Sequence, residues 1–132
     1  MNIREFLHND KFADLLGIEL LEIADGRAKT KLVVKDEHLN AVQIVHGGVI
    51  FSLADFTLAA AANSHGTIAV AVNANISFLN AAKKGTLYAE AVEISRNNKL
   101  ASYSINVTNA EGELIANYQG MVYRKKETFL DK

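Results

Sequence analysis

The chain has 132 residues, which is enough for one globular domain and short for two. It is 49% hydrophobic and 22% charged with a formal net charge of −1, so neither disorder, nor a nucleic-acid partner, nor an acidic membrane is expected. The lack of cysteine excludes disulfides, thiolate catalysis and cysteine-ligated zinc. We expect a single domain over residues 1–132, located in the cytoplasm because the N-terminus lacks a secretion signal.

The first predicted elements are a helical segment over residues 1–16 and a β-hairpin. The hairpin turn is the "DG" pair at 25–26, which separates two runs of strand length, "GIELLEIA" and "RAKTKLVV". Residues 47–63 predict one long helix, because alanine, leucine and phenylalanine dominate the segment and "NSHG" follows it.

The second half of the chain predicts four strands, because residues 67–79, 86–95, 100–109 and 113–124 alternate with a period of two. Their short connections suit an antiparallel meander, and residues 126–132 are expected to be a loose tail. The long helix is apolar on nearly every side and needs cover on most of its surface. We therefore expect an α+β fold in which a curved antiparallel sheet wraps around one central helix.

One carboxylate, Asp55, interrupts the apolar helix. None of the residues three or four positions away is basic, and an unpaired ionised carboxylate there would cost several kcal/mol or would become protonated. Two interpretations stay open: a core acid paired with a distant lysine, arginine or tyrosine, or a catalytic carboxylate.

The sequence "HGG", residues His46, Gly47 and Gly48, begins that helix. Glycine permits close backbone approach, and the N–H groups of a first helical turn lack acceptors within the helix. Together with the helix dipole they suit a developing negative charge, such as the oxygen of a thioester in a tetrahedral intermediate. Gly47 and Asp55 are about 12 Å apart along the helix, so one chain cannot bring both to the same carbonyl. If both act, two chains share the site.

These segments resemble the hotdog-fold acyl-CoA thioesterases of the PaaI type, which belong to the phenylacetate pathway. The resemblance rests on "VHGGVIFSLADFTLAAAAN", preceded by "NDKFADLLGIELLEIADGRA" and followed by "ISFLNAAKKGTLYAEA", and extends from about Asn9 to Arg124. It implies hydrolysis of an acyl-CoA thioester to a free acid and coenzyme A. It also implies the hotdog fold, a homodimer with shared sites as the minimal active unit, and a homotetramer.

The resemblance also implies roles for individual residues. Gly47 would donate its N–H to the thioester oxygen, and Asp55 of the facing subunit would act as general base or as nucleophile. His46 would shape the helix start and contact the thioester, or serve only as a helix-entry residue. Asn40 would place an amide near the thioester or simply make a turn. Asn9 would lie near the site or cap a helix at 10–16.

The substrate is expected to contact Gly48, Phe51 and Phe56 in addition, and its acyl group can be arylacetyl, short-chain or medium-chain. Coenzyme A is part of the substrate, and no separate cofactor is expected. No metal is expected either, because the histidines show no ligand spacing; they are His8, His38, His46 and His65.

Two departures from the family pattern concern the substrate. Relatives often have a hydroxyl shortly after the acid, whereas Phe56 and then Thr57 follow here. Relatives commonly end the third strand with "FLRPA", whereas this chain has "FLNAA" at 78–82 and lacks that arginine. Positive charge for the coenzyme A phosphates would then come from strand ends and turns: Lys83, Lys84, Arg96, Lys99 and Arg124.

Two other functions are compatible with the fold that the resemblance implies. One is a binding module that senses acyl-CoA without hydrolysing it, which the missing hydroxyl favours. The other is a dehydratase, whose chemistry pairs a histidine with an acid. His46 lies at the wrong end of the helix from Asp55 for that chemistry, so thioester hydrolysis ranks first.

Overall fold

Within residues 1–130 the polypeptide forms three α-helices, one short 3₁₀ turn and six strands. The computed structural model describes residues 1–130. The elements are α1 (Ile3–Leu7), α2 (Lys11–Leu16), β1 (Ile18–Ala24), β2 (Arg27–Val33), the 3₁₀ turn Asp36–His38, α3 (Gly47–Asn63), β3 (Thr67–Phe78), β4 (Thr86–Arg96), β5 (Leu100–Asn109) and β6 (Leu114–Thr128).

The six strands form one sheet in the order β1-β2-β4-β5-β6-β3. All neighbouring strands are antiparallel. The predicted meander is correct for β4, β5 and β6 but wrong for β3, which pairs with β6 instead of β4. The reason is the curvature of the sheet around the helix. Because the sheet curves, the edge strand β3 comes near β4. The connection at 79–85, which can extend by up to about 3.3 Å per residue, is then long enough to join the two strands.

Helix α3 is the centre of the core and contacts every strand of the sheet. The predicted α+β class, with a curved sheet wrapped around one central helix, is therefore confirmed. No helix within residues 1–130 has both the length and the hydropathy needed to cross a bilayer. The buried residues of α3 are Val49, Ile50, Leu53, Ala54, Phe56, Thr57, Leu58, Ala60, Ala61, Ala62 and Asn63.

Two close contacts fix the rotation of α3 against the sheet. The hydroxyls of Thr57 and Thr30 are 2.7 Å apart, and Thr57 Oγ1 also donates to the Leu53 carbonyl at 2.7 Å. On the other side the helix approaches Gly120 of β6, where an added Cβ would lie 2.7 Å from Leu58 Cδ2. The first contact holds α3 against β2 and the second holds it against β6, so the side of α3 that carries Asp55 is defined.

The first hairpin is confirmed. Ala24 pairs with Arg27, which leaves Asp25 and Gly26 as a two-residue turn, and Gly26 has the positive φ of 72° that such turns require. The Gly26 N–H donates to Ser64 Oγ at 2.8 Å and ties this turn to the end of α3.

Two predictions about the N-terminal and C-terminal segments are wrong. Asp10, and not Asn9, caps α2, because Asp10 Oδ1 accepts the Ala13 N–H at 2.9 Å. The segment predicted to be loose from residue 126 continues β6 to Thr128, and the Phe129 ring stacks on Phe6 with centroids 4.2 Å apart. Residues 131 and 132 lie outside the described residues.

Strand β3 forms one edge of the sheet and presents apolar side chains to solvent. Within residues 1–130 its second edge has no partner strand. Val70, Val72 and Phe78 are 42%, 57% and 54% exposed. A long edge strand with exposed apolar side chains is a template for pairing with another chain.

Candidate active site

His46 begins α3 and closes part of its first turn. Its backbone is extended (φ −60°, ψ 134°), and its Nδ1 accepts the Gly48 N–H at 2.8 Å. Its own N–H donates to the His38 carbonyl at 2.8 Å. His46 is therefore the helix-entry residue that the sequence indicates. Since Nδ1 is an acceptor, the neutral ring carries its proton on Nε2, where it is available to another acceptor.

The Gly47 N–H is the donor left available at this helix start. The Val49 and Ile50 N–H groups both donate to the His46 carbonyl, and the Gly48 N–H is bound by the His46 ring. Within residues 1–130 the structure shows no acceptor for the Gly47 N–H. An N–H at the positive end of a helix dipole is well placed to stabilise an oxyanion.

A cavity of about 290 Å³ opens beside Gly47. Close packing with Phe78 leaves little room for a side chain at Gly47, since an added Cβ would lie 3.2 Å from Phe78 Cζ. Because residue 47 is a glycine and has no side chain, the cavity reaches the backbone of the helix start directly. It is lined by Asn40, Ile44, Val45, Gly47, Ile50, Phe78, Leu79, Asn80, Ala81 and Ala82.

Asn40 makes a turn and also lines this cavity. Its Oδ1 accepts the Val42 N–H at 3.0 Å and the Ile44 N–H at 3.3 Å, which is the turn-making role. Its side-chain NH₂ group remains as a donor beside Gly47. The two roles proposed for Asn40 are therefore compatible, because the turn uses the oxygen and leaves the amide nitrogen.

Asp55 lies in the middle of α3 and is only partly buried. Tyr118 of β6 donates its hydroxyl to Asp55 Oδ1 at 2.9 Å. Among residues 1–130 no lysine or arginine forms an ion pair with Asp55. Burial and the negative charge of Asp55 raise the pKa of Tyr118 well above its ordinary value, so the tyrosine is a neutral donor to a carboxylate.

Sequence reasoning did not single out Tyr118. The alternation of β6 is a usable signal, because position 118 lies with Gly120 and Val122 on the inward face of the strand, which faces the helix. What the sequence alone does not give is the strand order that places β6 under Asp55. The sequence leaves a lysine, an arginine or a tyrosine as possible distant partners of Asp55, and in the structure the partner is Tyr118.

The remaining predicted site residues lie in four different places. Phe51, one turn before Asp55, contacts Tyr118 edge-on with ring centroids 5.2 Å apart. Phe56 faces the other way and lines a cavity with residues of α1, α2 and β1. Gly48 is bound by His46, and Asn9 lies at the corner between α1 and α2, where its Nδ2 contacts Met1 Sδ at 3.7 Å. Their contacts with substrate stay predictions.

The available N–H and the carboxylate are on one straight helix, eight residues apart. At 1.5 Å per residue they are about 12 Å from each other, which is too far to act on one carbonyl within a protomer. A single chain thus carries the available N–H and the carboxylate on the same helix but holds them apart.

Thr57 and Asn80, which stand at the two departures from the family pattern, each make structural hydrogen bonds. The Thr57 hydroxyl is buried and bound by Thr30 and the Leu53 carbonyl, so it is not available to orient a water molecule beside Asp55. In "FLNAA", Asn80 donates from Nδ2 to the Leu114 carbonyl at 2.7 Å and holds the end of β3 against β6.

The basic residues fall into two groups. Lys84 forms an ion pair with Asp36 near the α3 N-terminus. At the opposite end of the sheet, Arg124 donates from Nη1 to the Asn97 carbonyl at 2.7 Å and from its N–H to the Lys99 carbonyl at 2.7 Å. Arg96 contacts His65 close by. Among the described residues no group of three or more His, Asp or Glu side chains would hold a metal ion, and the expected independence from metals and cofactors stays a prediction.

Glu93 is the hub of a polar cluster at the end of α3. Its Oε1 accepts the Tyr103 hydroxyl at 2.8 Å and lies 2.7 Å from His65 Nε2. Burial raises the pKa of Glu93, but the hydrogen bonds from Tyr103 and His65 and the charges of His65 and Arg96 outweigh it. The pKa is therefore held below its ordinary 4.5. The ionised carboxylate stabilises the folded state above pH 4.5, and this contribution is lost as the pH falls through the lower, folded-state pKa.

Replacing Glu93 with glutamine is expected to lower the free energy of unfolding at pH 7 by about 1–3 kcal/mol, because hydrogen bonds to a charged group are lost. The difference from the wild type should shrink below pH 4.5, as measured by urea unfolding from pH 7 to pH 3. The exposed Glu37→Gln change serves as the control and should have little effect. A Glu93→Gln difference that is constant with pH would contradict the assignment.

A sequence profile of the thioesterase superfamily matches residues 42–116, which include the helix start and Asp55. The chain belongs to the thioesterase superfamily. It is 46% identical to a putative esterase of Archaeoglobus fulgidus, over 96% of this chain and 84% of the relative. It is 35% identical to the acyl-coenzyme A thioesterase PaaI of Escherichia coli, over 93% of this chain and 89% of the relative.

A solved structure agrees with this membership. The E. coli PaaI protein from the phenylacetic acid degradation operon superposes with a TM-score of 0.93 at 34% identity, over 96% of this chain and 93% of that protein. The predicted resemblance to PaaI-type hotdog thioesterases is confirmed, and with it the hotdog fold and the class of thioester hydrolase.

Proposed function

We propose that this thioesterase-superfamily member hydrolyses acyl-CoA thioesters to a free acid and coenzyme A at a site shared by two subunits. The observation that supports this most directly is the available Gly47 N–H at the start of the helix that also carries Asp55. The relative named acyl-coenzyme A thioesterase supports the choice of substrate class.

In the proposed reaction the thioester oxygen accepts the Gly47 N–H, and Asp55 of the partner subunit faces the carbonyl carbon. As a general base, Asp55 takes a proton from water while the water oxygen bonds to the carbonyl carbon. The resulting oxyanion is stabilised at the helix N-terminus. Collapse breaks the C–S bond, and the thiolate of coenzyme A takes up the proton. As a nucleophile, an Asp55 oxygen would bond to the carbonyl carbon, and breaking of the C–S bond would expel coenzyme A as a thiolate. Water would then cleave the resulting anhydride to the free acid and the Asp55 carboxylate, and the thiolate would take up the released proton.

Neighbouring polar groups support this geometry. The Nε2–H of His46 and the side-chain NH₂ of Asn40 are further donors near Gly47, for the thioester and the adjoining pantetheine amides. Phe51 beside Asp55 offers an apolar contact for the acyl group. These roles follow from position: each group borders either the helix start or the carboxylate.

The edge strand β3 supplies a way to join the two halves. Its unpaired edge and exposed valines favour antiparallel pairing with β3 of a second copy. Such pairing sets the end of one β3, where Phe78 contacts Gly47, beside the beginning of the other. A homodimer is thus the proposed active unit, and its association into a tetramer, like the cytoplasmic location, stays a prediction.

The same pairing suggests where the phosphates of coenzyme A lie. Arg124 is opposite Ala69 near the beginning of β3, and Lys99 is bound to Arg124 through its carbonyl. In the proposed dimer this basic end of one subunit lies beside the Gly47 cavity of the other. Arg124 and Lys99 of the partner subunit would then replace the arginine that "FLNAA" lacks.

The test is release of free thiol from a panel of CoA thioesters with acetyl, medium-chain and arylacetyl groups. Because the chain has no cysteine, a thiol-reactive chromophore reports coenzyme A alone. We expect turnover of at least one class. The alternative, an acyl-CoA-binding module, predicts micromolar binding by calorimetry with no thiol release for any member of the panel.

Disrupting the β3 edge is expected to abolish activity together with dimerisation. Val72→Lys places a charge on this exposed edge and should yield a folded monomer with less than about a tenth of wild-type turnover. Leu15→Lys, on the exposed side of α2, is the control and should leave both unchanged. Light scattering and thiol release are measured on the same samples. A monomeric Val72→Lys variant with full activity would reject the shared site.

A further inference from the structure

We propose that Tyr118 is a positioning residue for Asp55: its hydroxyl holds Oδ1 of the carboxylate so that Oδ2 faces the thioester. This inference rests on the proposed function, in which Asp55 acts in hydrolysis. It assigns a role to a strand residue that lies 63 positions from the acid in sequence.

The hydrogen bond has an ordinary length and its donor is closely packed. Tyr118 has no solvent exposure, and its hydroxyl lies 2.9 Å from Asp55 Oδ1. The Phe51 ring contacts the Tyr118 ring edge-on, with an angle of 67° between the planes. The ring also packs against Gly120, where an added Cβ would lie 2.9 Å from Tyr118 Cε1. These contacts restrict the Tyr118 ring, and its hydroxyl in turn orients the Asp55 carboxylate.

The charge of the pair suits a reactive carboxylate. A lysine or arginine at this distance would form an ion pair and make the acid a weaker base or nucleophile. A neutral phenol fixes one oxygen and leaves the second, with its lone pairs, to accept a proton or to attack. Burial also raises the pKa of Tyr118, which keeps the phenol protonated as a donor over the pH range in which a thioesterase is assayed.

A purely structural role is the competing explanation, and the chain contains a matched control for it. Tyr103 is equally buried, lies on the neighbouring strand β5, and donates to Glu93 Oε1 at 2.8 Å. Glu93 belongs to the cluster at the end of α3 and not to the proposed site. Tyr118→Phe and Tyr103→Phe each remove a phenol hydroxyl that donates to a carboxylate. The two variants differ in whether Asp55 or Glu93 loses its hydrogen bond.

The experiment measures kcat and KM by thiol release, with melting temperature, for these two variants. We expect Tyr118→Phe to lower kcat about tenfold with KM within about twofold of wild type, since orientation and not binding is lost. Tyr103→Phe should leave kcat within about twofold while lowering the melting temperature at least as much. A variant with 3-fluorotyrosine at position 118 keeps the donor and the packing, and should keep kcat within about twofold.

A double-mutant cycle separates the failure of this inference from failure of the proposed function. In the Asp55→Asn background, Tyr118→Phe should change the residual kcat by less than about twofold, because the group that it positions is already gone. If Asp55→Asn alone keeps wild-type turnover, the proposed function fails. If Asp55→Asn is inactive while Tyr118→Phe behaves like Tyr103→Phe, or raises KM alone, the positioning role is overturned. If Tyr118→Phe does not fold, the 3-fluorotyrosine variant is measured in its place. Loss of kcat in that variant, which keeps the hydroxyl donor, would also overturn the positioning role.

Discussion

The Asp55→Asn variant is expected to remain a folded oligomer and to lose at least about a hundredfold in turnover. Asparagine keeps an oxygen that can accept the Tyr118 hydroxyl, so the core around the pair is preserved. It has no basic or nucleophilic oxygen, so the proposed chemistry at the carbonyl cannot proceed. Thiol release with saturating acyl-CoA measures the loss, and Asp55→Ala should be at least as inactive.

The control is Asp25→Asn in the first hairpin. It makes the same chemical change at a turn, where Asn-Gly serves as well as Asp-Gly, and should leave activity unchanged. Equal turnover of Asp55→Asn and Asp25→Asn would exclude a catalytic role for the helix acid. Unchanged micromolar binding of acyl-CoA by Asp55→Asn would confirm that only the chemical step is affected.

The second large effect is expected at Gly47, where proline should lower kcat by about 100- to 1000-fold. Proline has no N–H, yet it is favoured at the first position of a helix. The preceding residue, His46, already has the extended backbone that proline requires of its neighbour (φ −60°, ψ 134°). Gly47→Pro therefore deletes the proposed oxyanion donor at little cost to the helix.

Gly47→Ala is the matched control, because it adds a Cβ near Phe78 but retains the N–H. We expect it to keep more than about a tenth of the wild-type kcat, since the exposed Phe78 ring can shift by a few tenths of an ångström. If alanine is as harmful as proline, steric crowding and not the lost donor is responsible. Circular dichroism and melting temperature establish that both variants are folded.

Mixing the two inactive variants tests whether the site is shared. A mixed dimer of Gly47→Pro and Asp55→Asn chains contains one site with both changes and one with neither. Refolding the variants together at equal ratio should therefore restore about a quarter of wild-type activity, since half of the dimers are mixed and each has one intact site. No recovery, with mixed dimers present, would place both groups in one chain's site.

The sequence predicts the fold well because its patterns are strong and local. The helix at 47–63 and the Asp-Gly hairpin both follow from short-range chemistry, and the structure has them at those positions. The place of β3 depends on curvature of the whole sheet, which no local pattern in "TIAVAVNANISF" expresses. The prediction of a loose segment from residue 126 is wrong for residues 126–129 for a similar reason, since Phe129 stacks on Phe6 from a distant part of the chain.

The site was predictable in part. The "HGG" start and the isolated acid are visible in the sequence because both break a local rule: glycines inside an apolar run and a charge without a partner. Tyr118 obeys its local rule, since an inward-facing aromatic residue on a strand is ordinary core. Its contact with Asp55 arises from strand order alone, and therefore appears only in three dimensions.

The stacking of Phe6 on Phe129 has a practical meaning for work on this enzyme. Helix α1 and Phe129 meet at one corner of the molecule, so a short linker can join the chain segments on either side of this contact. New ends opened at the tight turn around Ala110 and Glu111 would leave every strand pairing intact. Such a circularly permuted chain lets a reporter be attached there, away from the corner where Phe6 stacks on Phe129.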